Sequence, residues 1–135
     1  MAFLDSEDQL AVVLSHEIEH VALNHCRDRL INALSEQRLS PLDSAKLKVE
    51  SFFRGYGHDG ELAADREGAK LASAAGYSPN GAVRLLETFL LVSEQSPNTP
   101  NDSKTMLRER IAQIHSVIEE NRLPIPSSER PLALP

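Results

Sequence analysis

Residues 5–25 read DSEDQLAVVLSHEIEHVALNH, and this stretch decides the fold class. Leu10, Val13, Leu14, Ile18, Val21 and Ala22 recur at the three- and four-residue intervals of an amphipathic helix, and Leu30 extends the pattern. Asp5 or Ser6 supplies an N-cap, and Glu7 and Asp8 follow where the helix dipole favours negative charge. No Gly or Pro interrupts the chain before Ser35, so the spacing predicts a single helix from about Asp5 to Ser35.

Helical patterning continues outward from this stretch. Pro41 opens a weaker helix to about Phe53, with Leu42, Ala45, Val49 and Phe52 on one side. The Gly-rich run from Arg54 to Gly60 is a loop. Asp59 is expected to cap a third helix, from about Gly60 to Ala75, that stops at Gly76. Ser78-Pro79 starts a fourth helix reaching about Glu94, with proline at its first position. After the polar loop from Ser96 to Asp102, a fifth runs from Ser103 to Asn121, with Leu107, Ile111, Ile114 and Ile118 in register. No segment alternates apolar and polar residues as a strand would. The expectation is an all-α domain of about five helices over residues 1–122, followed by a Pro-rich tail or linker over 123–135.

Composition narrows the function classes. The 135 residues carry 14 Lys+Arg against 20 Asp+Glu, a net charge of −6. The basic residues are scattered, which argues against a nucleic-acid partner. The longest apolar runs, Leu10 to Leu14 and Phe89 to Val92, fall far short of the roughly 20 residues of a membrane span. The acidic start lacks the basic and apolar regions of a signal peptide. A lone cysteine, Cys26, cannot form an internal disulfide. Nothing in the pattern fixes an oligomeric state.

The chemistry is concentrated in His16-Glu17-Ile18-Glu19-His20. Residues four apart share a helix face, so His16 and His20 can present two imidazoles to one ion. Glu17 lies beside them and is the candidate base for a metal-activated water. A catalytic zinc needs a third protein ligand and one open position. A histidine six residues after His20 would serve, but Cys26 stands there and rotates off the His16/His20 face of a continuing helix. His25 is one residue out of place and reads as a helix-surface or core-edge histidine. The other source is Glu61-Leu62-Ala63-Ala64-Asp65. Glu61 and Asp65 share a face, Glu61 able to ligate and Asp65 able to accept the outer N–H of a ligating histidine. Ala63, Ala64 and Gly68 are small enough to let this helix approach the first one closely. Tyr56 and Tyr77 carry hydroxyls able to donate to an oxyanion, though packing or loop roles are the default for both.

The two blocks, LDSEDQLAVVLSHEIEHVALNH and DGELAADREGAKLASAAGYSP, resemble the HtpX and CAAX-prenyl-protease family of zinc metallopeptidases (peptidase family M48) over about Leu4 to Glu87. The resemblance implies a gluzincin-type HExxH core with one zinc held by His16, His20 and Glu61. It also implies Glu17 as general base, Asp65 in support, and endopeptidase activity on a polypeptide. In relatives a His-Pro precedes an arginine on a late helix. Arg110 matches that arginine, whereas Lys104-Thr105 stands in place of His-Pro. Arg110 or Lys104 is therefore the candidate to stabilise charge in the transition state. Relatives also carry strands upstream of the HExxH helix and are often attached to membranes or lie in the bacterial envelope or periplasm. The expectation is a catalytic core without its substrate-pairing strand edge, inactive in isolation. The alternative from the same residues is a metal-binding helical interaction module without catalysis.

Overall fold

The computed structural model describes residues 4–25, 27, 31, 57–126 and 130–132. Among these it contains four helices: α1 (Glu7–Ala22), α2 (His58–Ala74), α3 (Asn80–Gln95) and α4 (Asn101–Glu120). Among the described residues there is no strand, only an isolated bridge between Ser6 and Pro131. The all-α expectation holds among the described residues, which include four of the five expected helices; the one expected over residues 41–53 lies outside them. None of the described helices is long and apolar enough to cross a membrane.

The first helix is shorter than its periodicity suggests. It ends at Ala22, and Asn24 takes a left-handed conformation (φ 59°) with its N–H bonded to the Val21 carbonyl at 3.1 Å. Asparagine does here what Gly does at many helix ends, which is why a search for Gly or Pro finds no stop. The α1 N-terminus is closed on several sides. The Ser6 hydroxyl accepts from Gln9 N–H (3.2 Å), and the Gln9 side chain accepts from Asp5 N–H (3.0 Å), a variant of the capping box. The Glu7 N–H donates to the Arg130 carbonyl (2.9 Å), so residue 130 of the tail completes the cap. At α2, Gly57 rather than Asp59 occupies the cap position. Its φ of 79° lets the helix begin at His58 and places Asp59 inside the first turn.

The helices pack in a closed ring, α1 against α2 and α3, and α4 against the same two. Val83, Leu86, Ile114 and Ile118 form the apolar core between α3 and α4. The α1 contacts are closer and less apolar. A Cβ on Gly68 of α2 would lie 3.0 Å from the His16 backbone nitrogen, and one on Gly81 of α3 would lie 2.7 Å from the Asp8 carbonyl. Asp8 is buried and accepts from the Ser78 N–H (2.8 Å), tying α1 to the start of α3.

These two glycines should respond differently to alanine. At Gly68 the Cβ would meet the His16 backbone at 3.0–3.1 Å, so α1 need yield only a few tenths of an ångström, and a helix-propensity gain of up to about 1 kcal/mol opposes that strain. At Gly81 the Cβ would lie only 2.7–2.9 Å from the backbone of Asp8 and Gln9, closer than at Gly68, so Gly81→Ala is expected to cost about 1–3 kcal/mol. Urea unfolding should therefore rank Gly81→Ala below Gly68→Ala; the reverse order would refute the close approach at Asp8.

Candidate metal centre

The turn of α1 that carries His16 and His20 faces the first turns of α2, where Glu61 and Asp65 project. The His16 and His20 Nε2 atoms are 2.9 Å apart. Glu61 reaches both, Oε2 lying 3.3 Å from His16 Nε2 and Oε1 3.6 Å from His20 Nε2. One ligand atom from each of the three residues falls within 4.8 Å of the others. Tetrahedral ligands about 2.0–2.1 Å from an ion stand roughly 3.3 Å apart, so two imidazole nitrogens and the Glu61 carboxylate, each of its oxygens near one of them, are spaced to hold a single metal ion with a fourth position left over.

Each imidazole is also held from behind. Asp65 Oδ1 lies 2.9 Å from His16 Nδ1, close enough for an ion pair though not aligned as a linear hydrogen bond. Arg110 of α4 grips Asp65 with two bonds, Nε to Oδ2 at 2.6 Å and Nη2 to Oδ1 at 2.8 Å, and its Nη1 sits 3.2 Å from Glu61 Oε2. Behind His20, Nδ1 meets His25 Nδ1 at 2.8 Å. The turn at Asn24 that ends α1 is what folds His25 back onto the ring; a helix continuing to Ser35 would have carried it away. His25 is thus the contact that sequence reasoning discarded, and an asparagine followed by a histidine just past the motif was its signal.

The electrostatics follow from this arrangement. Burial opposes charge on His16, but the Asp65 and Glu61 carboxylates outweigh it and raise its pKa to about 9. His20 is lowered to about 4 by burial and by the neighbouring His16 charge. Burial works against the Asp65 carboxylate, yet Arg110 and His16 together hold its pKa below the usual range. At neutral pH the arrangement favours His16 protonated, its charge between Asp65 and Glu61, and His20 neutral, Nε2 accepting from His16 and Nδ1–H donating to His25.

Of the other residues singled out from sequence, Glu17 is exposed and lines the same cavity as His16, Glu61, Asp65 and Arg110. Lys104, half-buried on α4, is not among the residues lining it. Tyr77 lies under the Arg130 guanidinium (4.8 Å to the ring centre), a packing role. Tyr56 and Cys26 lie outside the described residues.

The sequence model of Peptidase family M48 matches residues 1–119 of the chain. No curated protein and no solved structure matches it.

Two outcomes follow from the geometry. With metal removed by a chelator, His16 stabilises the fold fully below its usual 6.5 and loses that contribution as pH rises towards 9. His20 is charged more readily in the unfolded chain, so it destabilises the fold as pH falls from 6.5 towards 4. Chelator-treated protein should therefore be most stable near pH 6.5 in urea titrations, with added metal flattening the alkaline limb. Separately, His25→Ala should weaken zinc binding about 10–100-fold in competition with a chromophoric chelator, with partial rescue by His25→Gln. Unchanged affinity would remove His25 from the site.

Proposed function

The chain belongs to Peptidase family M48, and from that premise we propose that it is the catalytic core of a zinc-dependent endopeptidase. The observation that carries this reading is the convergence of His16, His20 and Glu61 on one point from two helices. Two imidazoles and a carboxylate are a donor set suited to zinc, and three protein ligands leave the open position that catalytic sites keep. Zinc bound there would bring the pKa of a water near 7 and polarise a substrate carbonyl.

The chain's own residues supply the rest. Glu17, one residue after His16 and on the cavity wall, takes the proton of the attacking water and returns it to the departing amine. Asp65 orients the His16 ring, and His25 does the same for His20. Arg110 holds Asp65 and Glu61 in place, and its charge lies on the cavity wall, where it favours negative charge developing on the carbonyl oxygen. Arg110 rather than Lys104 therefore takes the transition-state role. A polypeptide is the substrate class of a peptidase family, and the family places this chain with it.

Glu17→Gln should leave about one zinc per chain, measured by elemental analysis, and abolish hydrolysis of unfolded casein. Glu61→Ala should lose most of the zinc. Retained turnover in Glu17→Gln would overturn the assigned base. A zinc-loaded parent that cleaves nothing, even extended at its N-terminus, would instead make the chain a metal-binding interaction module.

A further inference from the structure

Residues 130–132 of the tail make a connection that neither metal binding nor core packing needs. The Glu7 N–H donates to the Arg130 carbonyl (2.9 Å), and the Leu132 N–H donates to the Asp5 carbonyl (3.3 Å). These two bonds flank the antiparallel bridge between Ser6 and Pro131. The Arg130 side chain adds a bond from Nη2 to the Gly76 carbonyl (2.8 Å) and lies over the Tyr77 ring. The tail is thereby laid, extended, along the segment that leads into α1.

These contacts are slight for what they order. Arg130 and Pro131 are exposed, Leu132 is only half-buried, and none of the three belongs to the apolar core between α3 and α4. Exposed hydrogen bonds exchange readily with water, and fixing an extended segment opposes its conformational entropy. Such a segment opens locally without unfolding the bundle. Once it opens, the Glu7 N–H and the Asp5 carbonyl stand unpaired, as at the edge of a sheet.

Direction ties the tail to the metal centre. Paired antiparallel, it runs from Glu7 towards Asp5. The next residue along that backbone is Leu4, which lines the same cavity as His16, Glu17 and Glu61. An extended polypeptide adds to a backbone edge of this kind through the same donor and acceptor. A polypeptide approaching the metal centre past Leu4 therefore meets an edge that is already filled.

We propose that residues 130–132 form a releasable strap that competes with a polypeptide substrate for the backbone edge at residues 5–7. Docked, the strap closes the Leu4 side of the metal centre; released, it opens that side. The inference rests on the metallopeptidase reading and gives the same site a means of regulation.

Binding and amide exchange test it without requiring turnover. The full chain carrying Glu17→Gln, loaded with zinc, is titrated with unfolded casein while its amides are followed by NMR. As casein binds, the Arg130 and Leu132 resonances should move to those of a synthetic peptide of residues 127–135 free in solution. Adding Arg130→Ala and Leu132→Pro removes the Gly76 bond, the Tyr77 contact and the Leu132 N–H. These substitutions should speed hydrogen exchange at the Glu7 amide and leave the zinc in place. If the docked tail outweighs the free tail about threefold, release tightens casein binding about fourfold. The tail resonances decide even where the substituted chain does not fold. Casein bound with those resonances unmoved, an affinity unchanged by the two substitutions, or a Glu7 amide that exchanges no faster after them would overturn the strap and leave the metal site intact. Zinc absent from the protein, or casein bound neither with nor without the substitutions, would overturn the metallopeptidase reading and this inference with it.

Discussion

The structure turns on one buried carboxylate. Asp65 touches His16 on α1, accepts two bonds from Arg110 on α4, and belongs to α2, so a single side chain joins three of the four described helices. A buried negative charge is tolerable only when it is paired and bonded. Here the guanidinium supplies both, and leaving either partner alone costs about 3–5 kcal/mol. The same pairing orients the His16 ring and steadies Glu61 through Arg110 Nη1. Stability and ligand geometry are therefore fixed by the same atoms.

That arrangement reverses the usual logic of α1. Its apolar residues Leu14, Ile18 and Val21 are 54%, 54% and 70% exposed, while Asp8, Gln9, Ser15 and His20 are buried. Hydrophobic periodicity marks the element as a helix without marking the face it buries. The α2 side facing α1 explains why. It presents Glu61, Asp65 and Gly68, with Ala64 and Ala72 fully buried, and so matches a polar ligand face at close range. The large apolar side chains are used between α3 and α4 instead, where Ile114 is fully buried.

The legible parts were those written in local pattern. Helical spacing, Gly76 as a stop, and small residues on the α2 face all carry short-range information. The triad of His16, His20 and Glu61 was legible because two of its members lie a turn apart and the third heads an acidic pair with the same spacing. What escaped was tertiary. Asn24 adopts a left-handed backbone that many residue types can decline, and only that turn brings His25 to His20. The double grip of Arg110 on Asp65 joins positions far apart in sequence, and a lone arginine on α4 has no local signature for it. The bonds from residues 130 and 132 back to residues 7 and 5 likewise join opposite ends of the described chain, which no local spacing can announce.

The close docking of α1 on α2 through Gly68 also divides the chain by its tolerance of length. Those two helices hold the two ends of the connection between His20 and Glu61 at fixed positions. The entropy of closing a loop grows only with the logarithm of its length, and a doubling costs about 0.6 kcal/mol. Insertions or whole added modules between α1 and α2 are thus cheap for the candidate centre itself. One residue inserted between His16 and His20 turns the second imidazole by about 100° around the helix axis, away from His16 and Glu61. Variation in this architecture should accumulate as length in the connection and be refused as length within the helices.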